Sequence, residues 1–262
     1  LGMDCLPSVM SRVWMVWCCA ELGSFPEAMR WGEEGVQLAE AADHPFSRVM
    51  AAFGAGLLSL RQGNLPKAIP LLESGLAGCQ GEQQLIWFPW IAACLGLAYA
   101  LGGRIVEALP LLEQSVEQAN SRGILGHQSL RLAWLGEAYL LASRREDALS
   151  LAGHALELAR DHQERACQGW ALRLLGEIAA HGDPPQVEPA EDRYRQAMAL
   201  ADELGLRPLQ ARCHLGLGSL YRQSGRFEQS HAELAAAVEL FRAMDMPLWL
   251  SRAEAALLSS PS

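Results

Sequence analysis

The sequence predicts an all-α fold: a right-handed superhelical solenoid of about six helix-turn-helix repeats, followed by a C-terminal capping helix. Two observations support this fold class. One position holds a small residue at steps of about 40 residues: Ala28, Ala68, Ala108, Ala148, Ala190 and Ser230. A glycine precedes five of these positions by about twelve residues: Gly56, Gly96, Gly136, Gly176 and Gly218. Internal repetition at such a period is typical of solenoids, in which each repeat contacts only its neighbours.

Each repeat is expected to consist of two amphipathic helices joined by a tight turn. In the first two repeats, Gly23 and Gly63 mark the end of the first helix, because glycine adopts the left-handed conformation at low cost. Pro26 and Pro66 mark the start of the second helix, where the missing N–H has no intrahelical partner to lose. The first repeat has Val16 in place of the recurring glycine, and terminal repeats are often atypical.

The later repeats follow the same plan, with one insertion and one addition. The fifth repeat contains a two-residue insertion within 181–189, where three prolines predict a longer loop. After the sixth repeat, residues 247–258 predict a helix that covers its exposed face. First helices are expected at 8–22, 46–62, 85–101, 125–142, 165–181 and 208–224, and second helices at 25–42, 65–79, 104–121, 145–161, 187–204 and 227–244. The repeats then span about 8–45, 46–84, 85–124, 125–164, 165–207 and 208–246 of a single domain, 1–262.

The recurring small residue lies early in each second helix, where the two helices of a repeat are expected to cross closely. Because overpacking such a position costs roughly 1–3 kcal/mol, Ala108→Leu or Ala148→Leu is expected to lower the melting temperature. The recurring glycine of the first helix is expected to serve the same close approach.

Composition excludes several classes of function. The 262 residues carry a formal net charge of −9, and the basic residues are scattered, so nucleic acid is not an expected ligand. No stretch reaches the roughly 18 apolar residues of a membrane-spanning helix. Seven cysteines without a C-x-x-C spacing indicate reduced thiols in the cytoplasm. No secretory signal is visible in residues 1–10, and the absence of an initiator methionine suggests a piece of a longer protein.

The order of small and aromatic residues within a repeat resembles the tetratricopeptide repeat (TPR). In the fourth repeat, Gly136, Tyr139, Ala148 and Ala155 match small and aromatic consensus positions of that family. The repeat is about 40 residues long instead of about 34, and this length is similar to that of variant repeats found beside signalling ATPase modules.

Residues 190–258 carry a more specific likeness, above all in 190–197, 203–209, 213–218 and 244–250. They resemble the C-terminal repeat region of bacterial proteins that combine a class III adenylate or guanylate cyclase with an AAA-type ATPase. The arrays of LuxR-type ATP-dependent activators are also similar, but the chain does not end in their helix-turn-helix. The resemblance implies a signal-transduction domain whose catalytic parts lie outside this chain.

The sequence contains no motif that indicates catalysis, a metal or a cofactor. It lacks the G-x-x-x-x-G-K-[ST] phosphate loop, the H-E-x-x-H metal motif and the G-x-S-x-G nucleophile motif. Seven histidines show no regular pairing with cysteine. We therefore expect neither an enzyme nor a metal site.

The candidate binding surface is the inner, concave face, which TPR arrays line with their first helices. Three positions in each repeat are expected to point inward: six residues before the glycine, three before it and one after it. The candidate binding residues on this face are Met50, Phe53, Trp90, Leu97, Glu137, Trp170, Arg173, Glu177 and Arg212. The hypothesis is that the apolar members anchor a segment and the charged members set its register. The alternative is that the aromatic residues only pack the helices.

The sequence thus favours a non-catalytic interaction and regulatory domain of a signalling ATPase or cyclase. Its partner is expected to be a protein or peptide, or the ATPase or cyclase modules of its own chain. Two alternatives stay open: a sensor of a small effector, such as a sugar, and a structural scaffold. A compact pocket with aromatic and charged groups favours the sensor, whereas a long open groove favours the partner.

Overall fold

The computed structural model describes residues 5–79 and 86–258. This part of the chain is all-α and contains no strand. Its thirteen helices are α1 (Pro7–Leu22), α2 (Phe25–Ala41), α3 (Pro45–Gln62), α4 (Leu65–Ala77), α5 (Phe88–Leu101), α6 (Ile105–Ser121), α7 (Gln128–Leu141), α8 (Arg145–Asp161), α9 (Arg165–Ala180), α10 (Val187–Leu204), α11 (Arg207–Gln223), α12 (Phe227–Ala243) and α13 (Pro247–Leu258).

The predicted helix boundaries are confirmed to within three residues, and the turns have the predicted glycines and prolines. Gly23 and Gly63 follow α1 and α3 with φ of 75° and 78°, the left-handed conformation that glycine allows. Pro26 and Pro66 lie in the first turn of α2 and α4. The predicted limit between the second and third repeats, at 84–85, falls outside the described residues.

The chain divides into two compact units, Leu1–Gly126 and His127–Ser262. Unit 1 contains α1 to α6 and unit 2 contains α7 to α13. Within each unit consecutive helices form hairpins, and both helices of a hairpin pack on the first helix of the next: α1 and α2 on α3, α7 and α8 on α9, and α9 and α10 on α11. The apolar stripe of each helix is therefore buried by a neighbouring hairpin.

The recurring alanines lie at the helix crossings, as predicted. All five are completely buried. A Cβ built on Gly96 would lie 2.6 Å from Leu112 Cγ and 3.3 Å from the Ala108 carbonyl oxygen, so α5 and α6 approach too closely for any larger residue. In the last repeat, Ser230 replaces the alanine, and its hydroxyl donates a hydrogen bond to the Gly218 carbonyl at 2.7 Å.

Two later features complete unit 2. The proline-rich segment gives a loop of residues 181–186, because Val187 already begins α10. Helix α13 packs on α12 and α11, where the sequence places a capping helix. None of the helices in 5–79 and 86–258 is long and apolar enough to cross a membrane.

Candidate functional site

A buried cluster of charges lies on the first helices of unit 2. Glu137 of α7 accepts hydrogen bonds from Arg173 of α9 at 2.7 Å and from Arg212 of α11 at 2.8 Å. Arg173 also donates to Glu177 one turn further along α9, and Arg212 Nη2 lies 3.9 Å from Glu177. The side chains of Arg173 and Glu137 are only 3% and 10% exposed. Four charged residues from three successive hairpins therefore form one network.

Burial and the neighbouring charges shift the pKa values of this network in different directions. Burial opposes ionisation of Glu137, but attraction from Arg173 and Arg212 outweighs it and lowers the pKa of Glu137 to about 2. Burial also acts against the charge of Arg173, yet Glu137 and Glu177 raise its pKa. The pKa of Arg212 is lowered instead, by burial first and by repulsion from Arg173 second. Burial and the neighbouring Arg173 guanidinium thus both act against the charge of Arg212.

Helix α13 turns this cluster into one wall of a cleft. Two guanidinium groups contact the Trp249 ring, with Arg212 Cζ 3.5 Å and Arg252 Cζ 4.8 Å from its centroid, distances at which the ring face attracts a cation. The cleft has a volume of about 230 Å³, and Arg173, Glu177, Tyr194, Arg212, Trp249 and Arg252 line it. Glu137 lies behind these residues. Together they bring three guanidinium groups, of Arg173, Arg212 and Arg252, close to the two carboxylates of Glu137 and Glu177.

Two glycines on the first helices make room for the ring of Tyr194, which lines the cleft together with Trp249. Tyr194 of α10 occupies the position that holds Leu112 or Leu234 in other repeats, four residues after the small residue. Its ring lies so close to Gly176 and Gly216 that a Cβ there would approach it to 3.1 and 2.5 Å. The glycines of α9 and α11 are therefore required by the tyrosine.

The predicted binding residues are distributed unevenly between the two units. In unit 1, Met50 and Phe53 are 0% and 1% exposed and offer no surface to a partner; Trp90 and Leu97 are also buried. In unit 2, Glu137, Arg173, Glu177 and Arg212 come together as described. Trp170 is buried beside them, with Arg173 Cζ 5.8 Å from its ring centroid.

Trp90 belongs to an aromatic cluster within unit 1. Its ring centroid lies 5.1 Å from that of Trp17 in an edge-to-face arrangement, and Trp17 stacks on Trp14 at 5.8 Å. Trp14 is also 6.4 Å from Trp87. Only Trp14 of these is exposed to a large extent, at 39%, so the cluster is mainly packing with one open edge.

Sequence reasoning missed the residues of the cleft that lie outside the first helices of the six repeats. Trp249 and Arg252 belong to α13, which was expected only to cap the array. Tyr194 lies on a second helix, whereas all candidate binding residues were selected from first helices. Two features of the sequence could have indicated Tyr194. It stands where other repeats have a leucine, and Gly216 is an additional glycine in the neighbouring first helix.

No protein-family model matches the sequence, and no curated protein matches it either. Solved structures do match the fold. A Rap protein complexed with competence and sporulation factor is similar with a TM-score of 0.67 and 12% identity, over 94% of this chain and 80% of that one. NprR in complex with its cognate peptide NprX is similar with a TM-score of 0.66 and 15% identity, over 86% and 67% of the two chains.

A third similar structure is a signal transduction ATPase with numerous domains from Pyrococcus horikoshii, which carries a tetratricopeptide repeat sensor. Its TM-score is 0.57 at 20% identity, over 87% of this chain but only 33% of that one. At such identities the likeness concerns the fold alone. The chain is a TPR-like array of helical repeats, as its sequence predicts.

Proposed function

We propose that the chain is a non-catalytic regulatory domain that binds a peptide or protein partner, and that the unit 2 cleft receives an anionic group of this partner. The buried charge network beside an open cleft carries the proposal. Burying charges costs free energy that their mutual attraction often only balances, so a network of this kind is more readily explained by recognition than by stability.

The imbalance of charge indicates the sign of the ligand. Arg212 is held near another guanidinium, and Arg252 adds a further positive charge at the exposed side of the cleft. An incoming carboxylate could pair with Arg212 and Arg252 beside the Trp249 ring. The volume of about 230 Å³ is below the roughly 300–1,000 Å³ of sites for drug-sized ligands. It fits one side chain or one chain terminus, with the rest of the partner outside.

Similar folds support a peptide as the partner. NprR was solved with its cognate peptide, and the Rap protein with competence and sporulation factor. The likeness to a signal transduction ATPase that carries a repeat sensor supports an ATPase module of the same protein as another partner, whereas a cyclase module follows from the sequence resemblance alone. Sequencing the gene upstream of Leu1 tests this part: a reading frame without either module refutes it.

Binding is tested with immobilised random peptides that carry a free C-terminal carboxylate, and with the same peptides amidated. Wild type is compared with Arg252→Gln, which removes a cation from the cleft. Arg242→Gln is the matched control, because Arg242 pairs with Glu254 on the surface and does not line the cleft. Peptides that bind wild type and the control but lose affinity for Arg252→Gln support the proposal.

The two arms identify the source of the anion. Loss of binding on amidation indicates a terminal carboxylate, whereas binding that persists for peptides with Asp or Glu indicates an acidic side chain. Equal peptide binding by wild type, Arg252→Gln and Arg242→Gln would mean that the cleft does not receive the anionic group. If wild type retains no peptide at all, peptide binding itself is wrong.

The compact shape of the cleft favours one second candidate, a sensor of a small anionic effector. Aromatic and charged groups enclose a volume that suits a molecule the size of an amino acid. Thermal-shift measurements with free amino acids, dicarboxylates and sugar acids test this function. A stabilisation that disappears in Arg252→Gln, combined with no binding to the peptides, identifies the sensor.

A further inference from the structure

A second cluster of polar side chains lies where α7 and α9 begin, and none of its members lines the cleft. His127 precedes α7, Glu164 precedes α9, and Cys167 lies in the first turn of α9. The His127 Nδ1 and Cys167 Sγ atoms are 3.9 Å apart. With a Glu164 oxygen, they form a set of three potential ligand atoms within 4.8 Å of one another.

The separation of the nitrogen and the sulfur fits a shared metal ion. Zinc binds histidine nitrogen at about 2.0–2.1 Å and cysteine sulfur at about 2.3 Å, with tetrahedral angles. These values place the two ligand atoms about 3.6 Å apart, only a few tenths of an ångström closer than observed. The Glu164 oxygen, within 4.8 Å of the other two ligand atoms, needs the larger movement, and it must bend or give up one of its present hydrogen bonds to make it.

The surroundings bury Cys167 and fix the present position of the Glu164 carboxylate by hydrogen bonds. Cys167 is only 6% exposed, while His127 and Glu164 are half-buried. The Glu164 carboxylate accepts a hydrogen bond from the His127 backbone N–H at 3.0 Å and another from the Ser129 hydroxyl. Groups that orient a ligand in this way are usual around metal sites.

The fully buried Arg131 sets a limit on the affinity. Its side chain is completely buried, and its guanidinium interacts with Glu164. This fixed positive charge repels an added cation. Binding of a divalent ion releases the Cys167 thiol proton to solvent, so the site gains one net positive charge. The affinity is therefore expected to be lower than that of a four-cysteine site.

We infer that His127 Nδ1, Cys167 Sγ and a Glu164 carboxylate oxygen form a three-ligand site for a divalent ion of the zinc class. Mixed nitrogen, sulfur and oxygen ligands suit zinc better than magnesium or calcium, which prefer oxygen alone. Three protein ligands leave the fourth tetrahedral position to water or an incoming ligand. The ion would join the start of α7 to the start of α9.

Cobalt(II) titration of the full chain, stripped of metal with a chelator, tests the site. Wild type is expected to bind one ion with the intense near-ultraviolet thiolate-to-cobalt band and the visible bands of tetrahedral coordination, and added Zn²⁺ is expected to bleach both. Cys167→Ser is expected to lose the thiolate band and to weaken binding by at least about tenfold. The control is Cys18→Ser, because Cys18 is the exposed thiol and the one most open to adventitious binding.

Glu164→Gln leaves one of the two oxygen acceptors in place on a neutral side chain, so it provides a second variant if Cys167→Ser folds poorly. It is expected to retain the thiolate band at a weaker affinity. The inference is overturned if wild type shows no thiolate band, or if that band survives in Cys167→Ser; its loss in Cys18→Ser would then identify adventitious binding at the exposed thiol. These readouts need no peptide or effector, so they stand apart from the test of the cleft.

Discussion

Glu137→Gln is the perturbation that most directly measures the charge network of unit 2. The substitution keeps the shape of the side chain but leaves one oxygen acceptor where Glu137 uses two. It removes the negative charge that Arg173 and Arg212 share at 2.7 and 2.8 Å. Both guanidinium groups then remain buried with Glu177 as their common carboxylate.

The expected loss can be estimated from the pKa of the carboxyl group. The pKa of Glu137 is lowered to about 2, from about 4.3 for an unperturbed glutamate. At about 1.4 kcal/mol per pKa unit, ionised Glu137 contributes about 3 kcal/mol to the free energy of unfolding at neutral pH. Breaking one side of a buried ion pair costs about 3–5 kcal/mol, so the two estimates agree.

The sign of the pH dependence follows from the lowered pKa. The contribution is fully present above the pKa of the unfolded chain, about 4.3, and is lost as the pH falls through the folded value of about 2. The stability difference between wild type and Glu137→Gln is therefore largest at pH 7 and shrinks toward pH 2.

Urea denaturation followed by circular dichroism, at a series of pH values from 7 down to 3, measures this difference. Glu157→Gln serves as the control, because Glu157 is exposed on α8, and surface substitutions usually change stability by less than about 0.5 kcal/mol. A loss below about 1 kcal/mol for Glu137→Gln at pH 7, or a difference that does not depend on pH, would refute the account of the network.

Three further predictions concern packing and thiol reactivity. Ala108→Leu is expected to lose about 1–3 kcal/mol in a thermal melt, since Ala108 is fully buried at a helix crossing, whereas Val106→Leu on the same helix changes little at 87% exposure. Gly218→Ala is expected to destabilise the protein in the same melt, because its Cβ would lie 2.6 Å from Leu234 Cγ. In Gly153→Ala of α8 the added Cβ meets nothing within 4 Å, so this control is expected to stabilise by about 0.5–1 kcal/mol. Equal effects of the two substitutions would contradict this packing. With Ellman's reagent, Cys18 alone is expected to react rapidly in the native protein, because the other six cysteines are buried; two or more fast thiols would be inconsistent with the structure.

The fold could be predicted from the sequence because its determinants are local and repeated. Gly63 ends one helix and Pro66 starts the next, and both effects arise from the backbone preferences of these residues and not from distant parts of the chain. The small residue at position 108 and the glycine at position 96 recur together, since two helices that cross closely exclude larger side chains. Repetition multiplies these weak signals, so each helix was located to within three residues.

The site was predictable only in part. Glu137, Arg173 and Arg212 were selected from their register on the first helices, and the structure brings them together. Met50 was selected by the same register, yet it is fully buried in unit 1. The register of a helix predicts which face a residue occupies but not how closely the neighbouring helix covers that face.

The sequence alone determined the class of the protein: paired helices, their boundaries, the small residues at their crossings and the face on which charge collects. Only the tertiary structure decided that Trp249 of α13 closes a cleft against Arg212, and that His127 meets Cys167 and Glu164 across two helix starts. The physical reason is that capping, turn formation and amphipathic periodicity act over a few residues, whereas these contacts join residues about 40 apart. Their distances depend on how each hairpin packs against the next.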